Sequence, residues 1–359
     1  MIIADTKIAI GPMIGLPSTD WVGKDIGEEI HKKYSNVTFF EEFSESLAAD
    51  VVLIIKVMPP ISWILGMKAK GIRLIYIPVD IFFSPYKITK HREKLKQFDA
   101  LCIHNSRLAN LLGKYNYNIY FIDHYLKYHL EPTPEFKADG FILWVGHLEY
   151  LPALVIKLKN NSISKELLVL ADLEKLVHYR KGMQIELATA NIPWSETQHS
   201  DGSYTICGIK VKQWSEQSQE KALQECKAAF DTKANSFAHN LKPPTKAQKY
   251  IYNNIPFATD CYSYSSQYFK ERGLIIPTLE ETDRWLSKEY FNEIKEYNSH
   301  FKYQVEKAYV ANCYLKIVNN VLNTPIKPNS EKSIFKDNVN SKLALLHKIK
   351  LKIFSLLIF

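Results

Sequence analysis

Residues 241–260 read LKPPTKAQKYIYNNIPFATD, and the order of residue types in them decides the fold class. Lys242, Pro243, Pro244, Thr245 and Lys246 make a polar, proline-rich loop. Ala247, Tyr250 and Ile251 follow at helical spacing. Asn253-Asn254 is a turn pair, Pro256 fixes the backbone, and Phe257-Ala258-Thr259 is a short apolar run expected as a buried strand. Loop, helix, tight turn and buried strand together form one unit of a sheet with helices on its faces. The start of such a helix carries N–H groups and partial positive charge, and two lysines bracket it here, so the stretch is a candidate phosphate site. An ordinary β-α-β corner is the alternative.

Just upstream, 219–226 reads as a helix and 228–231 (AAFD) as a short buried strand ending on Asp231. A loop carrying His239 and Asn240 then leads into the lysines. With the ending Asn254-Ile255-Pro256-Phe257-Ala258-Thr259, this order resembles the nucleotide-sugar motif in the C-terminal domain of GT-B glycosyltransferases. The resemblance covers roughly 141–321, and the N-terminal half only by general architecture. Asn254 stands where those proteins usually have glycine, and asparagine also visits positive φ. Lys249 stands where many retaining members carry a donor-contacting glutamate, which leaves the donor's identity open.

What the resemblance implies is an α/β chain of two Rossmann-like domains with a C-terminal helical extension, using a nucleotide sugar as substrate. Lys242 and Lys246, with N–H groups near Thr245, would then stabilise the leaving phosphate. His239, Asn240 and Thr259 would contact phosphate or sugar, as would Asp260. Gly146, ending the strand at 141–146 (FILWVG), would let the chain approach the donor phosphates. Asp231 is a candidate for stabilising an oxocarbenium-like centre or for nucleophilic attack; capping a turn is its other reading. Asp20 is a candidate base if the reaction inverts, or part of a helix cap. His124 lies in a segment that resembles the one preceding the domain crossover, although a lone strand-end histidine is more often a structural hydrogen-bonder.

The remaining chain alternates strand and helix. Strands are expected at 7–10, 37–40, 50–57, 72–79, 100–104 and 119–122, with helices at 61–70, 91–98 and 107–115. Residues 50–57 (DVVLIIKV) are apolar throughout, as in a parallel sheet covered on both faces. Asp80, His104, Asn105, Ser106 and His124 fall at strand ends, where α/β sheets bind ligands. Beyond 140, strands are expected at 167–171, 185–188, 211–214 and 273–277, and helices at 280–287, 289–299 and 301–323. The expected division is a first domain at 1–131, a linker at 132–140, a second domain at 141–324, a polar linker at 325–341 and a tail helix at 342–359.

With 359 residues, 46% hydrophobic and 23% charged, the chain has enough apolar material for two cores. The net charge of +8 admits phosphorylated ligands or an anionic membrane. No nucleic-acid motif accompanies it, so no nucleic-acid partner is expected. The five cysteines are scattered without a C-x-x-C pair, as free thiols in a reducing compartment are. No D-x-D sequence or His/Cys cluster at ligand spacing occurs, so no metal cofactor is expected. No leader is apparent at the start, and no run spans a bilayer. The tail, KLALLHKIKLKIFSLLIF, repeats Leu and Ile at helical spacing among lysines and reads as an interfacial helix on an anionic membrane, or as a helix docked on protein. The functional expectation is therefore a metal-independent glycosyltransferase acting on a glycan or lipid-linked acceptor, cytoplasmic and peripheral at the inner membrane face. A nucleotide-sugar epimerase on the same fold would need more paired carboxylates and histidines. A non-catalytic binding protein would bind no nucleotide.

Overall fold

The computed structural model describes residues 5–159, 167–232 and 235–325. The tail-helix expectation at 342–359 and most of the polar linker lie outside the described residues. Those described fall into two compact units, 5–122 with 311–325, and 123–310. The chain passes from one unit to the other after Ile122, ahead of the 132–140 segment, and the last helix returns it to the first.

The first unit runs β1 (Ile8–Gly11), α1 (Pro17–Thr19), a π-helical turn at Asp20–Lys24, α2 (Asp25–His31), β2 (Val37–Phe39), β3 (Val51–Ile55), α3 (Ile61–Ala69) and β4 (Arg73–Ile77). It continues with α4 (Pro85–Lys90), α5 (Arg92–Gln97), β5 (Ala100–Ile103), α6 (Arg107–Leu112) and β6 (Ile119–Phe121). The strands form one parallel sheet in the order β2-β1-β3-β4-β5-β6. Every residue of β3 and β4 is buried, which is why these runs carry no polar alternation. The chain steps from β1 outward to β2 and then crosses back to β3, so the winding reverses between β1 and β3.

The second unit runs β7 (Ile142–Val145), α7 (Leu151–Leu158), β8 (Leu167–Ala171), α8 (Leu176–Thr189), β9 (Glu196–Gln198), β10 (Tyr204–Ile206), β11 (Ile209–Gln213), α9 (Glu216–Glu225) and β12 (Ala228–Asp231). Then come α10 (Phe237–Asn240), α11 (Thr245–Ile251), β13 (Phe257–Thr259), α12 (Tyr264–Lys270), α13 (Thr282–Trp285), α14 (Lys288–Phe301) and α15 (Lys307–Asn323), which crosses into the first unit. Its sheet has the order β13-β12-β7-β8-β11-β10-β9. It is parallel from β13 to β11 and antiparallel for β10 and β9. The winding goes from β7 to β8 and β11, then returns to β12 on the other side of β7. The reversal therefore lies between β7 and β12.

Three local readings of the sequence differ from the structure. Residues 185–188, read as a strand, belong to α8. Leu176, Met183 and Leu187 are its buried residues, at helical spacing, and Ile185 is 59% exposed. Residues 273–277 form no ladder: Gly273 lies in a turn at φ 92°, and Pro277 O accepts one bond from the Thr259 N–H (3.0 Å). Of the β9–β10–β11 meander only the last strand was read, at 211–214; β9 and β10 were not, although the turns carry Asp201-Gly202 and Cys207-Gly208. Cys207 (φ 48°) and Gly208 (φ 81°) make a two-residue hairpin turn with positive φ at both positions.

Candidate functional site

The stretch at 241–260 folds as its residue types require. α11 buries Ala247, Tyr250 and Ile251 completely, and Tyr250 stacks on Phe257 of β13 with ring centres 5.2 Å apart. Asn254 takes φ 59°, the value that asparagine tolerates in place of glycine. Its side-chain oxygen accepts from the Asn298 amide at 2.7 Å, which ties the turn to α14.

α11 starts beside the ends of β7 and β12, and Lys246 in its first turn reaches both. Its ammonium donates to Val145 O, the last residue of β7, at 2.8 Å, and to Asp231 Oδ1, the last residue of β12, at 2.9 Å. It also lies 5.6 Å from the centre of the Trp144 ring. Asp231 is 5% exposed in its side chain and Lys246 33%, so one partner is buried and the other reaches solvent. Thr259, at the end of β13, donates its hydroxyl to Asp231 O at 2.8 Å. Gly146 follows β7, and a Cβ there would lie 2.1 Å from the Trp144 ring. That glycine makes room for the indole on which the ammonium rests. Lys246, Asp231, Gly146 and Thr259 are thus gathered at the carboxyl ends of β7, β12 and β13, at the reversal point where doubly wound sheets take ligands.

The other expected residues are distributed around this group or away from it. His239 Nδ1 pairs with Ser236 Oγ at 2.9 Å, and its ring packs edge-on against Tyr150, which packs in turn against His147. Asn240 donates to Asn235 Oδ1 at 2.8 Å. Lys242 follows α10, with its backbone N–H on His239 O, and Thr245 is the first, half-buried residue of α11. Asp260 is buried at the end of β13 and ion-pairs with Lys157 of α7. His124 is buried in the second unit. Its neighbour Asp123 accepts from Gln248 at 2.8 Å and faces Arg272 at 3.9 Å. Burial raises the Asp123 carboxyl above its usual range, partly offset by Arg272. Asp20 is exposed at the start of the π-helical turn in the first unit.

Sequence reasoning missed Trp144 and the surroundings of Lys249. The Lys249 ammonium is buried, donates to Gln219 Oε1 at 2.8 Å, and lies 5.0 Å from the Tyr250 ring. Burial, then repulsion from Lys246, lowers it to about 7, against the pull of Asp231 and Cys226. A lysine three residues after another, in a helix whose other residues here are largely buried, was the available signal.

No family model and no curated protein matches the sequence. Solved structures do resemble it in shape. A glycosyltransferase from Rickettsia africae aligns over 89% of this chain and 99% of its own, with 9% identity and a TM-score of 0.59. AviGT4, a glycosyltransferase involved in avilamycin A biosynthesis, aligns over 88% and 98%, with 10% identity and a TM-score of 0.50. The chain has the GT-B fold. It spans 56% of the length of the S. aureus TarM chain, at 12% identity and a TM-score of 0.47. The Lys246 group lies on the sheet of the second unit.

Proposed function

We propose that this chain is a glycosyltransferase that moves a sugar from a nucleotide-sugar donor to a glycan or lipid-linked acceptor. The second unit binds the donor. The observation that carries the reading is the Lys246 ammonium, held at the winding reversal of a GT-B sheet by Val145 O and Asp231. An ammonium fixed there is a preorganised counter-charge for a leaving phosphate, and it needs no metal ion to do that work. Asp231 fixes the lysine and tempers its charge. A phosphate entering the site shares the ammonium with a carboxylate that is already in place. On this reading His239 and Asn240 lie on the donor side, and Asp20 is the candidate base on the acceptor side. The basic tail at 342–359 holds the enzyme against an anionic inner membrane face. Among the described residues, no helix is long and apolar enough to cross a membrane.

The test is a thermal-shift series with UDP, GDP, CMP and ADP, since a ligand that binds only the folded state raises the melting temperature. One nucleoside diphosphate should stabilise the protein, and Lys246→Ala should abolish that increment relative to its own nucleotide-free melting temperature. An unchanged increment removes the leaving-group role of Lys246. If no nucleotide stabilises the protein, the donor reading fails altogether. Product analysis with the stabilising nucleotide's sugars then separates transfer from epimerisation.

A further inference from the structure

Residues 81–96 read IFFSPYKITKHREKLK and hold five basic side chains against one acidic, a net +4 in a chain whose total is +8. Their arrangement in the first unit is specific. Ser84 caps α4 by accepting from the Lys87 N–H, and the residue α4 buries is Ile88. Phe82 is buried and its neighbour Phe83 is not. Phe83 is 59% exposed and Tyr86 64%. Lys87 and Lys90 are exposed on the same short helix. The cations crowd one another: His91 is held below its ordinary value by burial and then by Lys94, Lys90 and Lys87. The one acidic group of the stretch is held by cations other than Lys87 and Lys90. Glu93 pairs with Arg92 at 3.2 Å and Lys96 at 2.9 Å, and Asp80, just before the stretch, acts on His104.

Exposed aromatic surface costs free energy in water, and a cluster of like charges calls for an anionic partner. A surface that offers both an apolar layer and a layer of negative charge is an anionic bilayer. Aromatic rings sit at its headgroup level, and lysines are drawn to its surface potential. We infer that 81–96 is a membrane-docking surface, with Phe83 and Tyr86 inserted at the interface and Lys87 and Lys90 against lipid headgroups. The inference rests neither on the donor site nor on the tail at 342–359. Vesicle binding is read without nucleotide, and the tail is present in every variant below.

The experiment is sedimentation of the full chain with vesicles of phosphatidylcholine alone, or with 30% phosphatidylglycerol (roughly the anionic content that gives a surface potential of tens of millivolts). Lys87→Glu/Lys90→Glu should weaken partition to the anionic vesicles by more than tenfold, at roughly fivefold for each charge removed. Phe83→Ser/Tyr86→Ser should weaken it comparably. All four residues are exposed, so the melting temperature should hold. Hydrogen exchange on the unmodified protein gives a second readout: anionic vesicles should slow exchange within 81–96. Wild-type partition by either variant, or no protection of 81–96 on vesicles, overturns the inference.

Discussion

At the reversal between β1 and β3, the first unit closes its sheet edge with apolar atoms. A Cβ on Gly23 would lie 2.4 Å from Ile55 Cδ1 and 2.6 Å from Met13 Cε, and one on Gly27 would meet the Phe39 ring at 2.5 Å. The helical backbone sits directly on the strands, and Lys56, the residue that follows β3, is engaged with Ser18 Oγ at 3.3 Å. At the reversal between β7 and β12, the second unit also uses a glycine, but what fills its space is the Trp144 face with an ammonium above it. The same winding thus yields one reversal sealed by hydrocarbon and one furnished with a fixed charge. A doubly wound topology creates the position for a ligand; the side chains at the strand ends decide whether the position is kept.

That contrast can be broken most sharply at the two lysines. Lys246→Ala should remove the nucleotide-induced rise in melting temperature. On the proposed function it should also lower kcat for sugar transfer by about 100-fold, the scale for losing one preorganised donor. Lys56→Ala should leave both within error, with a stability change of about 0.5 kcal/mol or less. Equal losses from the two would erase the distinction between the reversals. Lys246→Ala also strands the buried Asp231 carboxylate, so its unfolding free energy should fall by about 2 kcal/mol in urea titration.

The units also differ in the pH range that loads them. Burial holds His104 of the first unit at about 4, with its Nδ1 2.8 Å from Ile122 O. The unfolded chain then binds the extra proton between about pH 4 and 6.5, so stability falls as pH drops through that window. Lys249 of the second unit, at about 7, is the same case displaced upward. Its burial cost is fully present below pH 7 and is relieved as pH rises towards about 10.5. The two windows are worth about 3 and about 5 kcal/mol respectively. Urea titrations at stepped pH should therefore show Lys249→Met more stable than wild type at pH 7, with the gap closing by about pH 10. The acid-side loss should persist in that variant. A gap that widens with pH would refute this sign.

The smallest expected difference lies between the two glycines. Gly146→Ala must displace a buried tryptophan ring, at about 2 kcal/mol, and should weaken nucleotide stabilisation by disturbing the support of Lys246. Gly23→Ala meets only the ends of Ile55 and Met13, which swing away at about 1 kcal/mol, and should leave nucleotide stabilisation alone. Melting temperatures with and without nucleotide report both.

Much of the second unit was legible because its signals are local. Burial of Tyr250 and Ile251, the strand at Phe257–Thr259 and the positive φ of Asn254 follow from period and from residue type. The readings that failed are those in which local pattern and tertiary burial disagree. Ile185 looks like a core residue of a strand and is instead the exposed side of α8. Residues 273–277 have strand composition and end beside the edge strand β13, yet a single bond, from Thr259 to Pro277, is all that joins the two among the described residues, too little for a ladder. Trp144 gave no sign that its ring would fold back over Gly146, since that depends on a missing Cβ and on which helix arrives above it.

What the sequence determined by itself is the alternation of buried strands and amphipathic helices, and with it the α/β class and the turn at Asn254. Those properties need only a residue and its near neighbours. What the tertiary structure decided is that Lys246 meets Asp231, 15 residues away, and Val145, 101 residues away, rather than solvent. That meeting depends on β12 returning to the far side of β7. Strand order is set by how whole crossovers pack, which no local periodicity records.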